Sequence, residues 1–444
     1  MEDNDFETIV LSNCKVFDSS NLPSSEDKRD VSSSRNTANL ASRNTYTNII
    51  GDVHRFRGFE TMAIRSGYAA SEHGEHSEAI YETSSYVYKS CEESYQKFSG
   101  QAPGNVYSRF TNPTVRTFEE RLALLESAED AIASSSGMSA ILTVFCSLLQ
   151  QGDRIICSAN VFGSTRALLN NYINNFGIDV HFVDVCDYSA WEREILHPAT
   201  KLVFLESPTN PTLEIADINY LAQLTKQSSA IFAVDNTMCT PCSQKPILIG
   251  ADLVVHSTSK YIDGHGRCIG GCVAGRKDLI ENLRTFMRCA GPAMTAHNAW
   301  IFSKGLETLE LRFERHSENA LAIAKWLESH PKVAKVIYPG LESHPNFELA
   351  KRQQKYSGGI VSFILKGTTK DVWEVLDRTQ LCSLTTNIGD TKTMITHPAS
   401  TTHVKLSQID RERIGVVDGL IRISVGLENV NDILLDLDYC LSKT

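Results

Sequence analysis

Five short apolar runs, at residues 154–157, 180–185, 201–205, 230–234 and 252–256, follow one another with helix-length stretches between them. They are rich in Val, Ile and Phe and carry almost no charge, which is the pattern of strands buried on both faces. Strand and helix alternating in this way predict a parallel sheet with helices on both sides. Ahead of the runs, Pro113 opens a helix. Asn112 suits its N-cap, Pro113 its first position, and Phe118, Leu122 and Leu125 fall on one stripe. A second, apolar helix is expected over 139–149. Past residue 300 the pattern changes. A long helical stretch over 298–329 carries many charges on one side, and shorter strands are expected at 335–338, 359–365 and 420–425. These suit a smaller α+β domain packed on the first.

Residues 1–56 are dominated by Ser, Asn, Asp and Thr, with few apolar positions and little period. A mostly disordered extension is expected there, with short local structure at most near Phe6 to Val16. Residues 57–105 read as ordered but irregular, with 81–88 a strand or an extended arm.

A chain of 444 residues with 42% hydrophobic composition suits one large domain and one small. A net charge of -10 argues against nucleic acid, whose phosphates demand basic patches. There is no long uncharged apolar run, so no membrane span is expected. The start, MEDNDFE, has neither signal nor transit-peptide character. The 12 cysteines are scattered through apparent core segments and read as reduced thiols of a cytoplasmic protein. Cys239 and Cys242, followed by Cys268 and Cys272, approach a zinc-ribbon spacing. The second pair is spaced by three residues and a stronger chemical motif lies between the pairs, so no metal is expected.

In open parallel sheets, ligands sit beyond the C-terminal ends of the strands. Run 201–205 exits into Glu206 and Asn210-Pro211, run 230–234 into Asp235, and run 252–256 into Ser257, Ser259 and Lys260. Three neighbouring exits thus offer an amide, a carboxylate, and hydroxyls with an amine. Ser134 to Met138 precede the apolar helix, and a helix start preceded by Ser and Gly suits a phosphate. Singly, each residue has a plain structural explanation: Asp235 as a loop cap, Lys260 as a surface charge, Asn210 as a turn residue. Together they describe a pyridoxal 5'-phosphate site. A pyridinium nitrogen needs a carboxylate, a carbonyl cofactor needs a lysine, and a phosphate needs a cradle.

The chain also resembles the Cys/Met-metabolism group of pyridoxal-phosphate enzymes, from about residue 59 to 441. The likeness rests on YSRFTNPT from Tyr107, SGMSA from Ser136, ESPTNP from Glu206, VDNT from Val234, HSTSKY from His256 and HPASTTH from His397. Within the group it is most similar to the O-succinylhomoserine sulfhydrylases, through RFTNPTVRTFEER from Arg109, VFGST from Val161, TTNIGDTK from Thr385 and VGLE from Val425. The resemblance implies an aspartate-aminotransferase-like (type I) fold. Its large, mostly parallel cofactor-binding domain would span 106–300, with a small α+β domain over 301–444 and an intersubunit arm over 57–105.

The resemblance also implies residue roles. Lys260 would bind the cofactor as a Schiff base and then shuttle protons. Asp235 would pair with the ring nitrogen. Gly137 and Met138 would bind the phosphate with Ser257 and Ser259, and Asn210 the ring hydroxyl. Arg422 would clamp the substrate carboxylate. Tyr107 and Arg109 would reach into a neighbouring subunit's site, making a dimer the minimal unit and a tetramer usual. Two departures matter. Phe162 stands where most relatives stack a Tyr on the ring, and Asn387 replaces a Ser near the substrate. The expected reaction is γ-replacement on a homoserine ester by sulfide. Cystathionine γ-synthase, a γ-lyase and a cofactor-binding protein without turnover are the alternatives. Lys392 could meet a succinyl carboxylate or be an exposed loop lysine.

Overall fold

All five apolar runs become strands of one sheet in the computed structural model, which describes residues 58–68 and 70–442. The expected N-terminal extension lies outside the described residues. The strands are β1 (Asp130–Ser134), β2 (Arg154–Ser158), β3 (Asp179–Val183), β4 (Thr200–Glu206), β5 (Ile231–Asp235), β6 (Leu253–Ser257) and β7 (Gly271–Gly275). Their order is β1-β7-β6-β5-β4-β2-β3. From β3 to β6 every pairing is parallel, and β7 runs antiparallel to both of its neighbours.

Alternation along the strands feeds two cores. Ile155, Cys157, Phe204 and Val255 face Ala140, Ile141, Val144 and Phe145 of the Gly137–Leu148 helix. Ile156, Val203, Leu205 and Val234 face Trp191, Ile218 and Leu221 on the other side. Phe145 and Phe204 meet edge to face at 5.2 Å. Burying each such ring contributes roughly 1.5–3 kcal/mol, so this two-sided packing holds the strand ends in register.

The Pro113–Glu126 helix is capped by Asn112, whose side chain accepts from the Thr114 and Val115 N–H groups. The expected long helix over 298–329 is in fact two, Ala296–Glu307 and Leu309–Glu328, broken at Thr308. The buried Arg312 explains the break. Its guanidinium takes the carbonyls of Gly305 and Tyr261, both at 2.7 Å, so it terminates the first helix and ties it to the turn that follows β6. Residues 81–88 form an extended arm rather than a strand, with one isolated bridge from Ser85 to Tyr107.

A second sheet contains β8 (Val333–Ile337), β9 (Ile360–Leu365), β10 (Ser383–Leu384), β11 (Met394–Thr396) and β12 (Leu420–Ser424), in the order β10-β11-β12-β9-β8. The Leu309–Glu328 and Val430–Ser442 helices cover it, with Ile323, Leu327, Ile433 and Leu437 against Val361, Phe363, Ile421 and Ile423.

Candidate active site

Because β4, β5 and β6 are parallel neighbours, Glu206, Asp235 and Ser257 emerge at one edge. Asp235 is buried and accepts the Thr237 N–H at 3.0 Å. Burial pushes its carboxyl above the usual range, while the bonds from Thr237 and the nearby His256 hold it down. Lys260 lies in the turn after β6, and its Nζ donates to Asn387 Oδ1. Burial, then the cation of Arg422, lowers its pKa to about 8. A lysine near its own neutral point is the form that can attack a carbonyl or take a proton.

The Gly137–Leu148 helix starts against β6. Ser136 caps it by accepting the Ser139 N–H. That leaves the N–H groups of Gly137 and Met138 without an intrahelical carbonyl in reach, which is the arrangement that receives a phosphate. A Cβ at Gly137 would lie 2.7 Å from Ser257 Cβ, so only glycine lets the helix start come this close. The Ser259 hydroxyl is held by Gly270, whose N–H it accepts at 2.9 Å and to whose carbonyl it donates at 3.2 Å.

Phe162 is 40% exposed, although the turn around it is fixed. Its N–H donates to Glu206 Oε2 at 2.7 Å, and Thr165 in the same turn meets Met138 Sδ at 3.9 Å. The turn that carries Phe162 therefore lies beside the helix start.

The second sheet supplies the remaining groups. Arg422 on β12 is buried. Nη1 donates to Asn210 Oδ1 at 2.9 Å, and Nη2 to the carbonyls of Thr386 and Asn387 at 2.7 and 3.2 Å. Its Nε has no partner. Burial lowers its pKa to about 10. Gly389, at φ +77°, lets the loop that bears Asn387 close on Tyr261; a Cβ there would stand 2.6 Å from the Tyr261 nitrogen.

Lys260, Asp235, Gly137, Met138, Ser257, Asn210, Phe162, Arg422 and Asn387 thus converge where the two sheets meet. Tyr107 and Arg109 do not join them within the chain. The Arg109 guanidinium stacks over Tyr107 and Phe110 and donates to the Arg288 carbonyl. Lys392 points outward and pairs with Asp390 at 3.6 Å. Cys239, Cys242 and Cys272 are buried, and among the described residues no three His, Cys, Asp or Glu side chains are grouped to hold a metal.

Glu206 belongs to the site although sequence reasoning used it only as part of a motif. The Glu126–His256 pair was not anticipated either. It is buried beneath the cluster, and Asn236 donates to the same carboxylate at 3.1 Å. The residues present fit pyridoxal phosphate. The unpaired Gly137 and Met138 N–H groups at the capped helix start and the orphaned Arg422 Nε are features that a phosphate and a carboxylate would complete.

A family model described as Cys/Met metabolism PLP-dependent enzyme matches residues 60–442. An O-succinylhomoserine sulfhydrylase of Pseudomonas aeruginosa is 51% identical over 85% of this chain and 94% of its own. An L-methionine gamma-lyase of Fusobacterium nucleatum is 40% identical over 87% and 98%. A solved structure titled as a putative O-acetylhomoserine (thiol)-lyase from Campylobacter jejuni, with a pyridoxyl-lysine phosphate, superposes with a TM-score of 0.83 at 33% identity. It covers 87% of this chain and 100% of that one. Among the described residues no helix is long and apolar enough to cross a membrane.

Proposed function

Given that the chain belongs to the Cys/Met-metabolism pyridoxal-phosphate enzymes, we propose that it catalyses γ-replacement on an O-acylhomoserine, O-succinylhomoserine or O-acetylhomoserine, with sulfide as nucleophile and homocysteine as product. When bound, the cofactor supplies a ring that accepts the electron pair released at the substrate α-carbon. Lys260 is its attachment point and, once displaced, the base that takes the α-proton and moves protons between substrate carbons. With a pKa of about 8, about a tenth of this amine is neutral at pH 7. Asp235 keeps the ring nitrogen protonated, and Asn210 meets the ring hydroxyl. Gly137, Met138, Ser257 and Ser259 border the phosphate. Arg422 offers Nε and Nη1 to the substrate carboxylate, and Asn387 orients the lysine.

Phe162 is the observation that carries the choice of reaction. Its ring can stack on a flat cofactor, but it has no hydroxyl with which to protonate a leaving group. A carboxylate, with a conjugate acid near pKa ~4, leaves without that help. A thiolate, near ~8.5, gains more from an acid. The site therefore suits esters better than thioethers. The P. aeruginosa relative is named for such a reaction.

The working unit is a dimer, paired into a tetramer, in which Tyr107 and Arg109 complete the partner subunit's site. The support is their position away from the Lys260 cluster of their own chain, with Tyr107 left 41% exposed. The cytoplasm is the proposed compartment, supported by the unbridged thiols of Cys157, Cys239, Cys242, Cys272 and Cys382. The test offers purified protein O-succinylhomoserine, O-acetylhomoserine, cystathionine and methionine, each with and without sulfide or cysteine. Homocysteine formed only from an ester plus sulfide is expected. Rapid 2-oxobutyrate from methionine or cystathionine would overturn the assignment.

A further inference from the structure

A second carboxyl stands beside Asp235. Glu206 ends β4 where Asp235 ends β5, and the two are partners in the strand register. They are only 5% and 8% exposed. The titratable groups that face Glu206 are Asp235 and the buried Cys157 thiol on β2, and neither is a cation. Glu206 takes two backbone donors instead, the Phe162 N–H at 2.7 Å and the N–H of Asn210. One side chain thus ties together the turn that carries the exposed ring and the turn that carries the amide partner of Arg422.

We propose that Glu206 is a positioning residue: it sets the Phe162 ring against the cofactor plane through the Phe162 N–H, and it carries the proton that leaves Asp235 the only anion of the pair. Two carboxyls at adjacent strand ends, out of water and without a cation between them, do not both ionise. Asp235 is the better anion. It accepts from Thr237 and faces His256, whereas Glu206 is pushed well above the usual carboxylate range by burial and then by Asp235. A neutral Glu206 still accepts N–H groups, so it can hold both turns without competing with Asp235 for the ring nitrogen.

The inference rests on reading Asp235 and Phe162 as cofactor contacts, and the experiment separates the two. Full-length wild type, Glu206→Gln and Glu206→Ala are loaded with pyridoxal phosphate. The visible absorption band, its circular dichroism from pH 6 to 9, and the cofactor dissociation constant are then measured. Glutamine is a neutral acceptor of the same shape, so Glu206→Gln should match wild type in band position, dichroism and pH profile. Glu206→Ala frees the ring. Its dichroism should drop by half or more and its affinity fall about tenfold, the upper range for one aromatic contact. A glutamine variant as disturbed as the alanine one, or an alanine variant like wild type, overturns the inference. Should the alanine variant not fold, Glu206→Asp takes its place. Its shorter arm draws the Phe162 turn away, so an unchanged dichroism again overturns it. A wild type that takes up no cofactor sinks the earlier reading instead.

Discussion

Lys260 is a cation held in a place that disfavours it, so replacing it with methionine should stabilise the cofactor-free protein by a pH-dependent amount. Its pKa drops from the ordinary 10.5 to about 8 through burial and the charge of Arg422. At ~1.4 kcal/mol per pH unit, keeping the ammonium in the folded state costs ~3 kcal/mol at pH 7. The sign follows from proton counts. Between pH 8 and 10.5 the unfolded chain binds the proton more tightly than the folded one, so wild type gains stability as the pH rises. The penalty is complete below pH 8 and gone above 10.5. At pH 9.5 it has shrunk to ~1 kcal/mol. Methionine fills the same space without the charge but abandons Asn387 Oδ1, an offset of ~1 kcal/mol at every pH. The assay is urea unfolding of apo wild type and apo Lys260→Met at one protein concentration, at pH 7 and 9.5. The variant should lead by ~2 kcal/mol at pH 7 and lose that lead by pH 9.5. A difference that does not change with pH would refute the reasoning, whatever its size.

Phe162→Tyr restores a hydroxyl beside the reacting atoms and should raise 2-oxobutyrate release from cystathionine on the order of tenfold, with little change for the ester. Gly137→Ala puts a methyl 2.7 Å from Ser257 Cβ. It should weaken cofactor binding about tenfold or more in a fluorescence titration, and urea unfolding should show a loss of about 1–3 kcal/mol because the helix start has to move off β6. Arg422→Lys keeps the charge but loses the two-pronged contact, and kcat/KM for the ester should fall about 100-fold, mainly through KM. Mixing inactive Lys260→Ala and Arg109→Ala chains should recover partial activity, and no recovery would count against a site shared between subunits.

The large sheet was legible because its central strands are buried on both faces and read as unbroken apolar runs. β1 and β7 escaped that reading. Their sequences, DAIAS and GCVAG, are dominated by small residues, and at the two glycines of β7 neighbouring backbone comes too close for a side chain. A Cβ at Gly271 would lie 2.2 Å from the Ser136 carbonyl. The break at Thr308 was hidden for a different reason: it depends on Arg312 reaching across to Gly305 and Tyr261. In the site, Asn210, Asp235 and Lys260 could be found from the chain because each follows directly on a strand. Arg422 and Asn387 come from the other sheet, and only the family resemblance pointed to them. The significance of Glu206 depends on its register with Asp235, which no single segment reveals.

Asn210 and Asn387 act as placeholders. In the cofactor-free chain one amide oxygen accepts from the guanidinium of Arg422 and the other from the amine of Lys260. A carboxylate that reaches Arg422 finds Nε open and has to displace only the neutral Asn210 oxygen from Nη1. An ionised carboxylate makes the stronger bond and gains by the swap, whereas an uncharged group gains nothing. On the proposed reading, the gap between the sheets would favour a free amino-acid carboxylate over an uncharged group, and only one of its two contacts with Arg422 would replace a bond already made.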